Sequence, residues 1–423
     1  MIQQKIWLFL YTIAIHIGNV YIYVGRFFNQ KLSQLYHGRR NTLNDVLNWS
    51  KFENCIWIHC ASLGEFEQGR PIIENIKSRF PNEKIALSFF SPSGYEIQKN
   101  YPYADYIFYL PSDLPKHATF LFRTLKPKML VLVKYEFWWN LIYKATSHKV
   151  PIFSISSIFR DDQYFFSKWA KPCQTLLRQF DMHFVQDTKS ASILSQFGIN
   201  QSIVCGDTRI DRVLERSKNV VIDQKITEWI DGSDKVIVFG SVWPEDLPIV
   251  NGIIERFASY KCIIAPHKID TAHLTEIKRN LRSASIFLYS DQQYDGQICL
   301  VDNIGKLSSL YAVATFAYIG GGFGAGIHNT LEAAVYGIPL VYGPKYQKFE
   351  EAVYFINHGI AFSVKDASEL TPILNILGTN QDFYHRCKIG TKDFFERNAG
   401  ATKKIVQNLF AGDGVKAWEK SEQ

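Results

Sequence analysis

Glu65 is the carboxylate in this sequence best placed for acid–base chemistry. It lies in WIHCASLGEFEQGR, Trp57 to Arg70, where apolar Ile56, Trp57 and Ile58 lead through small Ala61, Ser62 and Gly64 to the acid. A carboxylate beside a glycine that lets a substrate approach closely can take the proton of an attacking hydroxyl. An acid at that position can equally serve only to favour a helix N-terminus. Beyond it, Ile72, Ile73, Ile76 and Phe80 recur at helical spacing, so the stretch reads as strand, tight turn and helix. Ser62, Gly64 and Glu65 are then expected at the carboxyl end of a strand, where open α/β sheets bind ligands.

Other reactive residues also follow apolar runs. Lys134 and Glu136, in KYEFWWN (Lys134 to Asn140), come directly after Met129–Val133, and Arg209, in CGDTR, comes after Ile203-Val204. Arg209 is a cation that either clamps an anion or pairs with Asp207 or Asp211. The richest segment is YIGGGFGAGIHNTLEAAVYGIPLVYGP, Tyr318 to Pro344, in which an apolar strand enters five glycines within seven residues. A helix is expected from Asn329 to Tyr336, stopped by Gly337-Ile338-Pro339. Glycines allow close backbone approach and a helix N-terminus attracts phosphate, so Gly321, Gly322, Asn329, Thr330 and Leu331 are candidate nucleotide contacts, with Glu332 within reach of ribose hydroxyls. The loop lacks the acid about twenty residues on that marks a dinucleotide fingerprint, and it lacks the Lys-Ser/Thr of a P-loop. Ser241, Pro266-His267 and Gly305-Lys306-Leu307 stand at the ends of neighbouring strands and complete the expected cleft.

These residues need a scaffold of 423 residues, enough for two ordinary domains. Apolar runs alternate with helical patterns through Ile85–Phe90, Tyr106–Leu110, Met129–Val133, Ile152–Ile155 and Met182–Val185. They resume at Val236–Gly240, Cys262–Ala265, Ile286–Leu288, Ile298–Val301, Thr315–Ile319 and Leu340–Tyr342. That alternation predicts βαβ units and two parallel-sheet α/β domains, Rossmann-like and doubly wound, facing a central cleft. The expected division is a membrane anchor over 1–30, a first domain over 31–212, a second over 213–410 and a polar tail over 411–423.

The anchor is Ile6 to Val24, nineteen residues without a formal charge when His16 is neutral. As a helix it spans roughly 28 Å, close to a bilayer's hydrocarbon thickness. Its aromatics suit either a spanning or an interfacial helix, and a cleaved signal is not expected. Arg26, Lys31, Arg39 and Arg40 follow it, against Lys5 before it, which puts the bulk of the protein on the cytoplasmic side.

Hydrophobic content of 47%, with aromatics at 15%, excludes wholesale disorder. A net charge of +7, spread without a basic block, fits an anionic surface or ligand and gives no reason to expect nucleic acid. Seven scattered cysteines without a CxxC pair, and eleven histidines without HExxH, point to free thiols and no metal.

Several of these segments together carry a resemblance. Ile56-Trp57-Ile58-His59 with Ser62-Leu63-Gly64-Glu65, the Glu136–Asn140 stretch, Cys205-Gly206-Asp207-Thr208-Arg209, and Gly320–Pro344 with its His328–Ala334 core resemble the 3-deoxy-D-manno-octulosonic acid (Kdo) transferases. The similarity in order and spacing covers nearly the whole chain, including the apolar N-terminus. It implies the GT-B glycosyltransferase fold, CMP-Kdo as donor and co-substrate, and no cofactor or metal. It further implies inversion at the anomeric centre and, as acceptor, a lipid A precursor (lipid IVA) at the cytoplasmic face of the cell inner membrane. By the same resemblance Glu65 is the general base, assisted by Arg209 and Lys134. Pro266, His267, Gly305 to Leu307 and Asn329 to Glu332 then contact CMP, and Ser62, Gly64 and Glu136 lie on the acceptor side. The sequence departs from the family where Lys134 replaces a common glutamate, Pro266 a common arginine and Arg209 a common lysine. Lys134 then either holds the donor's carboxylate or leaves the glutamate's role to Glu136. The rival readings are another GT-B enzyme using a UDP-sugar (a lipid-linked GlcNAc transferase or an epimerase) and a membrane-tethered homologue that binds nucleotide without catalysis.

Overall fold

The computed structural model describes residues 2–45, 52–167, 169–231, 235–282 and 285–411. The chain forms two compact units, one running to Asp211 and regained from Ala399 onward, the other spanning Arg212–Asn398. In the first, β1 (Ile56–Cys60), β2 (Ile85–Phe89), β3 (Tyr106–Tyr109), β4 (Met129–Val133), β5 (Ile152–Ser157), β6 (Met182–Val185) and β7 (Ser202–Val204) form one sheet. Its spatial order is β3-β2-β1-β4-β5-β6-β7, with every pairing parallel. Strands covered on both faces must be apolar throughout, and β1, β2 and β4 are buried at every position. Two core clusters flank this sheet, one around Trp57, Leu130 and Leu132 and one around Ile56, Ile58 and Val131. Period-2 alternation within each strand sends neighbouring side chains to opposite clusters.

The second unit repeats the scheme with β8 (Val236–Val242), β9 (Lys261–Pro266), β10 (Ile286–Leu288), β11 (Ile298–Leu300), β12 (Phe316–Ile319), β13 (Leu340–Tyr342) and β14 (Ala361–Ser363). Its order is β10-β11-β9-β8-β12-β13-β14, again parallel throughout. The apolar runs of the sequence all appear as strands, differing at their ends by one or two residues. Strand β14 was not anticipated, because three residues at a sheet edge are too few to show a pattern.

The N-terminus forms a helical hairpin, α1 (Ile2–Gly25) and α2 (Gln30–Asp45). Ile6–Gly25 is long and apolar enough to cross a membrane. One side of α1 exposes Phe9, Ile17, Val20 and Tyr21. The other is docked on the first unit: Leu8 and Tyr11 pack against its core, Trp7 and Tyr11 each meet Trp139 at about 6 Å, and Tyr11 Oη donates to Asp113 at 2.8 Å. Ser112 Oγ donates to Asn19 Oδ1 at 2.5 Å. The hairpin is thus continuous with the first unit.

The C-terminal boundary differs from the expected second domain of 213–410. The helix Ala401–Leu409 packs on α3 (Leu63–Arg79) of the first unit, placing Ile405, Val406 and Leu409 in the cluster of Ile56 and Ile58. Phe410 stacks on Phe80 at 4.4 Å, and the Asp211 carboxylate accepts from Gly400 N (2.5 Å) and Thr402 N (2.6 Å) at the helix start. The apolar face of this helix is visible in the sequence, but a helix pattern does not say which domain supplies the facing surface. Beyond Ala411 the expected polar tail lies outside the described residues.

Ile405 is fully buried in that cluster. Ile405→Ala should therefore lower stability by roughly 2–5 kcal/mol in denaturant melts of the first unit's transition; a loss under about 1 kcal/mol would show that the last helix is not part of that core.

Candidate active site

In the first sheet, successive connections lead outward in both directions from the β1–β4 pair, making that pair a topological switch point, the position where open α/β sheets bind ligands. Ser62 is the N-cap of α3 and Glu65 lies in the helix's first turn. Ser62 Oγ donates a short hydrogen bond to the Glu65 carboxylate, which is half-buried. A side chain at exposed Gly64 would meet nothing nearer than Ser62 Oγ at 3.8 Å. No internal contact demands glycine there, and its effect is to leave the approach to Glu65 open.

Lys134 is the first residue past β4 and holds a left-handed backbone, φ 60°. Its amide donates to Ile155 O and its carbonyl accepts from Ser157 Oγ, each at 2.9 Å. Holding a lysine in that conformation costs about 1–2 kcal/mol, a local strain borne where the chain turns at the switch point. Burial lowers the Lys134 pKa, and Glu65 is the strongest of the neighbouring charges that act against this, followed by opposing effects of Arg209 and Asp207. Glu136 accepts from Trp138 Nε1 at 2.8 Å and lies 3.5 Å from Nε2 of His59, a buried histidine whose Nδ1 is 2.9 Å from Ser88 Oγ. Arg209 is folded onto Asp207, with Nε at 2.7 Å and Nη2 at 2.5 Å from the same oxygen. Of the two partners open to it in the sequence, it takes Asp207; Asp211 is engaged at the C-terminal helix.

The second sheet has its switch point between β8 and β12. Ser241 adopts φ 55° at an irregularity of β8. The glycine loop leaves β12 at Gly320 and is held from below by Asp246, a fully buried carboxylate. It accepts from Gly321 N (2.9 Å), Trp243 N (2.8 Å) and Tyr318 Oη (2.8 Å). Burial raises the Asp246 pKa and these three bonds draw it down. A Cβ on Gly322 would lie 2.6 Å from the backbone of Gly343, and one on Gly320 would strike the Ser241 carbonyl. These two glycines therefore answer to their own domain's backbone. Over the loop, the rings of Trp243 and His267 stack at 4.1 Å, His267 and His328 lie 4.5 Å apart, and Trp243 Nε1 donates to His328 Nε2 at 3.2 Å. Burial pushes His328 down to about 4, so near pH 7 this ring is neutral.

Comparison with known proteins bears on both sites. A family profile described as 3-Deoxy-D-manno-octulosonic-acid transferase (kdotransferase) matches residues 30–212. Beyond that segment, a 3-deoxy-D-manno-octulosonic acid transferase of Aquifex aeolicus is 28% identical over 342 residues, 78% of this chain and 89% of its own. One from Rickettsia typhi is 25% identical over 356 residues, 78% of this chain and 73% of its own. The chain is similar to the Kdo transferase family along most of its length. It is a glycosyltransferase of GT-B fold, with two Rossmann-like domains. The fold is shared with the UDP-GlcNAc 2-epimerase of Neisseria meningitidis, at a TM-score of 0.61, 15% identity, 84% of this chain and 99% of that one.

For this transferase the structure gathers Ser62, Gly64, Glu65, Lys134, Glu136 and Arg209 at the carboxyl edge of the first sheet, and Ser241, Pro266, His267, Gly321 and Gly322 at that of the second. His267 is exposed, whereas Pro266 is buried. Gly305 (φ 84°) and Lys306 are exposed. Thr330 and Leu331 point into the core, at 1% and 0% exposure, leaving only their backbone for a ligand. The helix expected over 329–336 is a single turn, Leu331–Ala334. Asn329 Oδ1 takes the Leu331 amide at 3.1 Å, and the turn tightens where Tyr336 and Gly337 donate to the third residue before them. One donor at that N-terminus is thus already used, so its attraction for phosphate is weaker than the sequence implied. Glu332 accepts from Asn329 Nδ2 at 3.2 Å; burial raises its pKa, while Arg216 and Arg212 lower it. Sequence reasoning missed Asp246 and Trp243. Asp246 reads there as one more acid in a first turn, and nothing local reveals its three partners.

Removing the Asp246 carboxylate leaves three buried donors without an acceptor. Asp246→Ala should cost roughly 3 kcal/mol or more in thermal or denaturant melts; near-wild-type stability would show that the loop does not depend on this acid.

Proposed function

We propose that this chain transfers Kdo from CMP-Kdo to a lipid A precursor, inverting the anomeric carbon and using no metal ion. The reading is supported by similarity to the Kdo transferases and carried by one observation: Glu65 stands at the first sheet's switch point, bonded to Ser62, in electrostatic reach of Lys134 and left open by Gly64. In this mechanism Glu65 accepts the proton of the acceptor hydroxyl as its oxygen forms a bond to the anomeric carbon. The bond from that carbon to the phosphate oxygen of CMP breaks, and CMP leaves with the electron pair. Ser62 orients the carboxylate by the hydrogen bond it donates, and Glu136 with Gly64 lines the acceptor side.

Lys134 and Arg209 supply positive charge for an anionic donor. Arg209, already neutralised by Asp207, supplies less of it than Lys134, which feels Glu65 and Asp207 but makes no ion pair among the described residues. We assign Lys134 to the carboxylate of Kdo. In the second domain CMP is received by the glycine loop at Gly321 and Gly322 and by Asn329 to Glu332. Ser241, Pro266, His267 and Gly305 to Leu307 complete the binding surface. The exposed apolar face of α1 seats the enzyme at the cytoplasmic face of the inner membrane, next to a lipid-borne acceptor.

Glu65→Gln keeps the shape and removes the basicity. It should retain CMP binding and lose transfer by about 10²–10⁴-fold in an assay of labelled Kdo onto lipid A precursor; turnover near wild type would remove Glu65 from the mechanism. CMP should raise the melting temperature of the wild-type protein and UDP should not. A larger shift with UDP would assign the chain to UDP-sugar chemistry instead.

A further inference from the structure

Arg39, on α2, is a buried cation with no counter-charge among the described residues. It is 8% exposed, and among the described residues its one hydrogen bond runs from Nη1 to Ser112 Oγ at a long 3.3 Å. The guanidinium lies 4.7 Å over the Phe90 ring, and Nε has no partner. No carboxylate of the described residues pairs with it. Burial lowers its pKa to about 10, with Tyr109 acting in the other direction. The equally buried Arg212 is treated differently, since Glu332 and Glu215 both act to keep it charged. A guanidinium taken out of water without an anion is costly, and packing on one ring and one hydroxyl does not repay it. A fold keeps such a group where an anion arrives from outside.

The surroundings identify the anion's carrier. Ser112, which accepts from Arg39, donates to Asn19 on α1, the helix whose opposite face is apolar and exposed. Phe90, under the guanidinium, stacks at 4.9 Å on Trp138, whose indole N–H donates to Glu136. Arg39 is therefore one hydroxyl away from the helix that seats on lipid and one ring stack away from the acceptor side of the Glu65 site. Its Nε, buried and without a partner among the described residues, is one of the donors with which a guanidinium can hold two oxygens of a phosphate at once.

We propose that Arg39 binds a phosphate group of the lipid-borne acceptor, with Ser112 and Asn19 beside it. The proposal rests on the acceptor reading given under Proposed function and deepens it: Arg39 selects acceptors that carry phosphate and sets their depth relative to Glu65.

The test uses the full-length protein in detergent, with Arg39→Met and Arg39→Lys, and two acceptors, the phosphorylated lipid A precursor and the same lipid after phosphatase treatment. In the wild type the phosphorylated acceptor should have a KM lower by about tenfold or more, the loss expected for one charge-assisted contact. Arg39→Met should erase that difference and leave the donor KM unchanged, while Arg39→Lys keeps part of it. Arg39→Met should also melt no lower than wild type, because it removes a charge that nothing inside the protein neutralises. A KM ratio that survives in Arg39→Met overturns the proposal. So does a lower melting temperature accompanied by equal losses on both acceptors, which would make Arg39 a structural residue.

A second arm needs no turnover. The phosphorylated acceptor should raise the wild-type melting temperature and do so far less in Arg39→Met, whereas phosphatidylglycerol micelles and inorganic phosphate should act equally on both. An Arg39-dependent shift with phosphatidylglycerol or inorganic phosphate as large as that with the acceptor would assign the residue to membrane lipid or to free phosphate and overturn the acceptor role. Arg39-dependent acceptor binding without any Kdo transfer by the wild type would sink the proposed function while leaving this site in place.

Discussion

Both domains obey the same constraint: a parallel sheet buried on two faces can carry polar chemistry only at its carboxyl edge. β1, β2 and β4 are buried throughout, and charge placed along such strands would be stranded in the core. Where the connections diverge, between β1 and β4 and between β8 and β12, the strand ends leave backbone and side chains uncovered. Glu65 and Lys134 occupy one such place, and Ser241 and the glycine loop the other. Two buried histidines inside the first sheet are accommodated because both ring nitrogens of each have partners, Ser88 and Trp138 for His59, Ser154 and the Leu177 carbonyl for His183.

Glycine serves two unrelated ends in this protein, and only packing separates them. Gly320, Gly322 and Gly343 are required because backbone segments of the second domain pass within side-chain distance of one another. Gly64 has no such neighbour, so its small size matters only to something that approaches from outside. The glycine-rich loop, the more conspicuous signal in the sequence, is in good part structural. The inconspicuous glycine beside Glu65 has no internal reason to be there.

The first domain is closed by the N-terminal hairpin and by the helix Ala401–Leu409. α1 and α2 bind it through Tyr11, Asn19 and Arg39, and the last helix binds it through Ile405, Val406 and Leu409. Asp113 joins the first of these to the site: besides Tyr11 it accepts the amides of Asn140 and Leu141, at the start of the helix that follows Glu136. Burial nonetheless raises the Asp113 pKa to about 6. The apolar N-terminal helix and the loop bearing Glu136 thus share one buried acid, and displacing either end of that link would strain the other.

Much was legible from the linear chain, because some physics is local. Apolar runs of strand length alternating with helical periods specify parallel α/β domains, and small residues between a strand and a helix place Glu65 and the glycine loop at strand ends. The segments carrying the family resemblance are equally local. Partnerships between distant residues were decided by tertiary structure alone. Arg209 spends its charge on Asp207, three donors converge on Asp246, the helix after the loop shortens to one turn, and the chain's last helix returns to the first domain. Arg39 looks like any basic residue flanking an apolar helix, and only folding shows it buried without an acid. The periodicity of a strand or helix depends on neighbours a few residues away, whereas the energy of a buried charge depends on what the fold brings within a few ångströms of it.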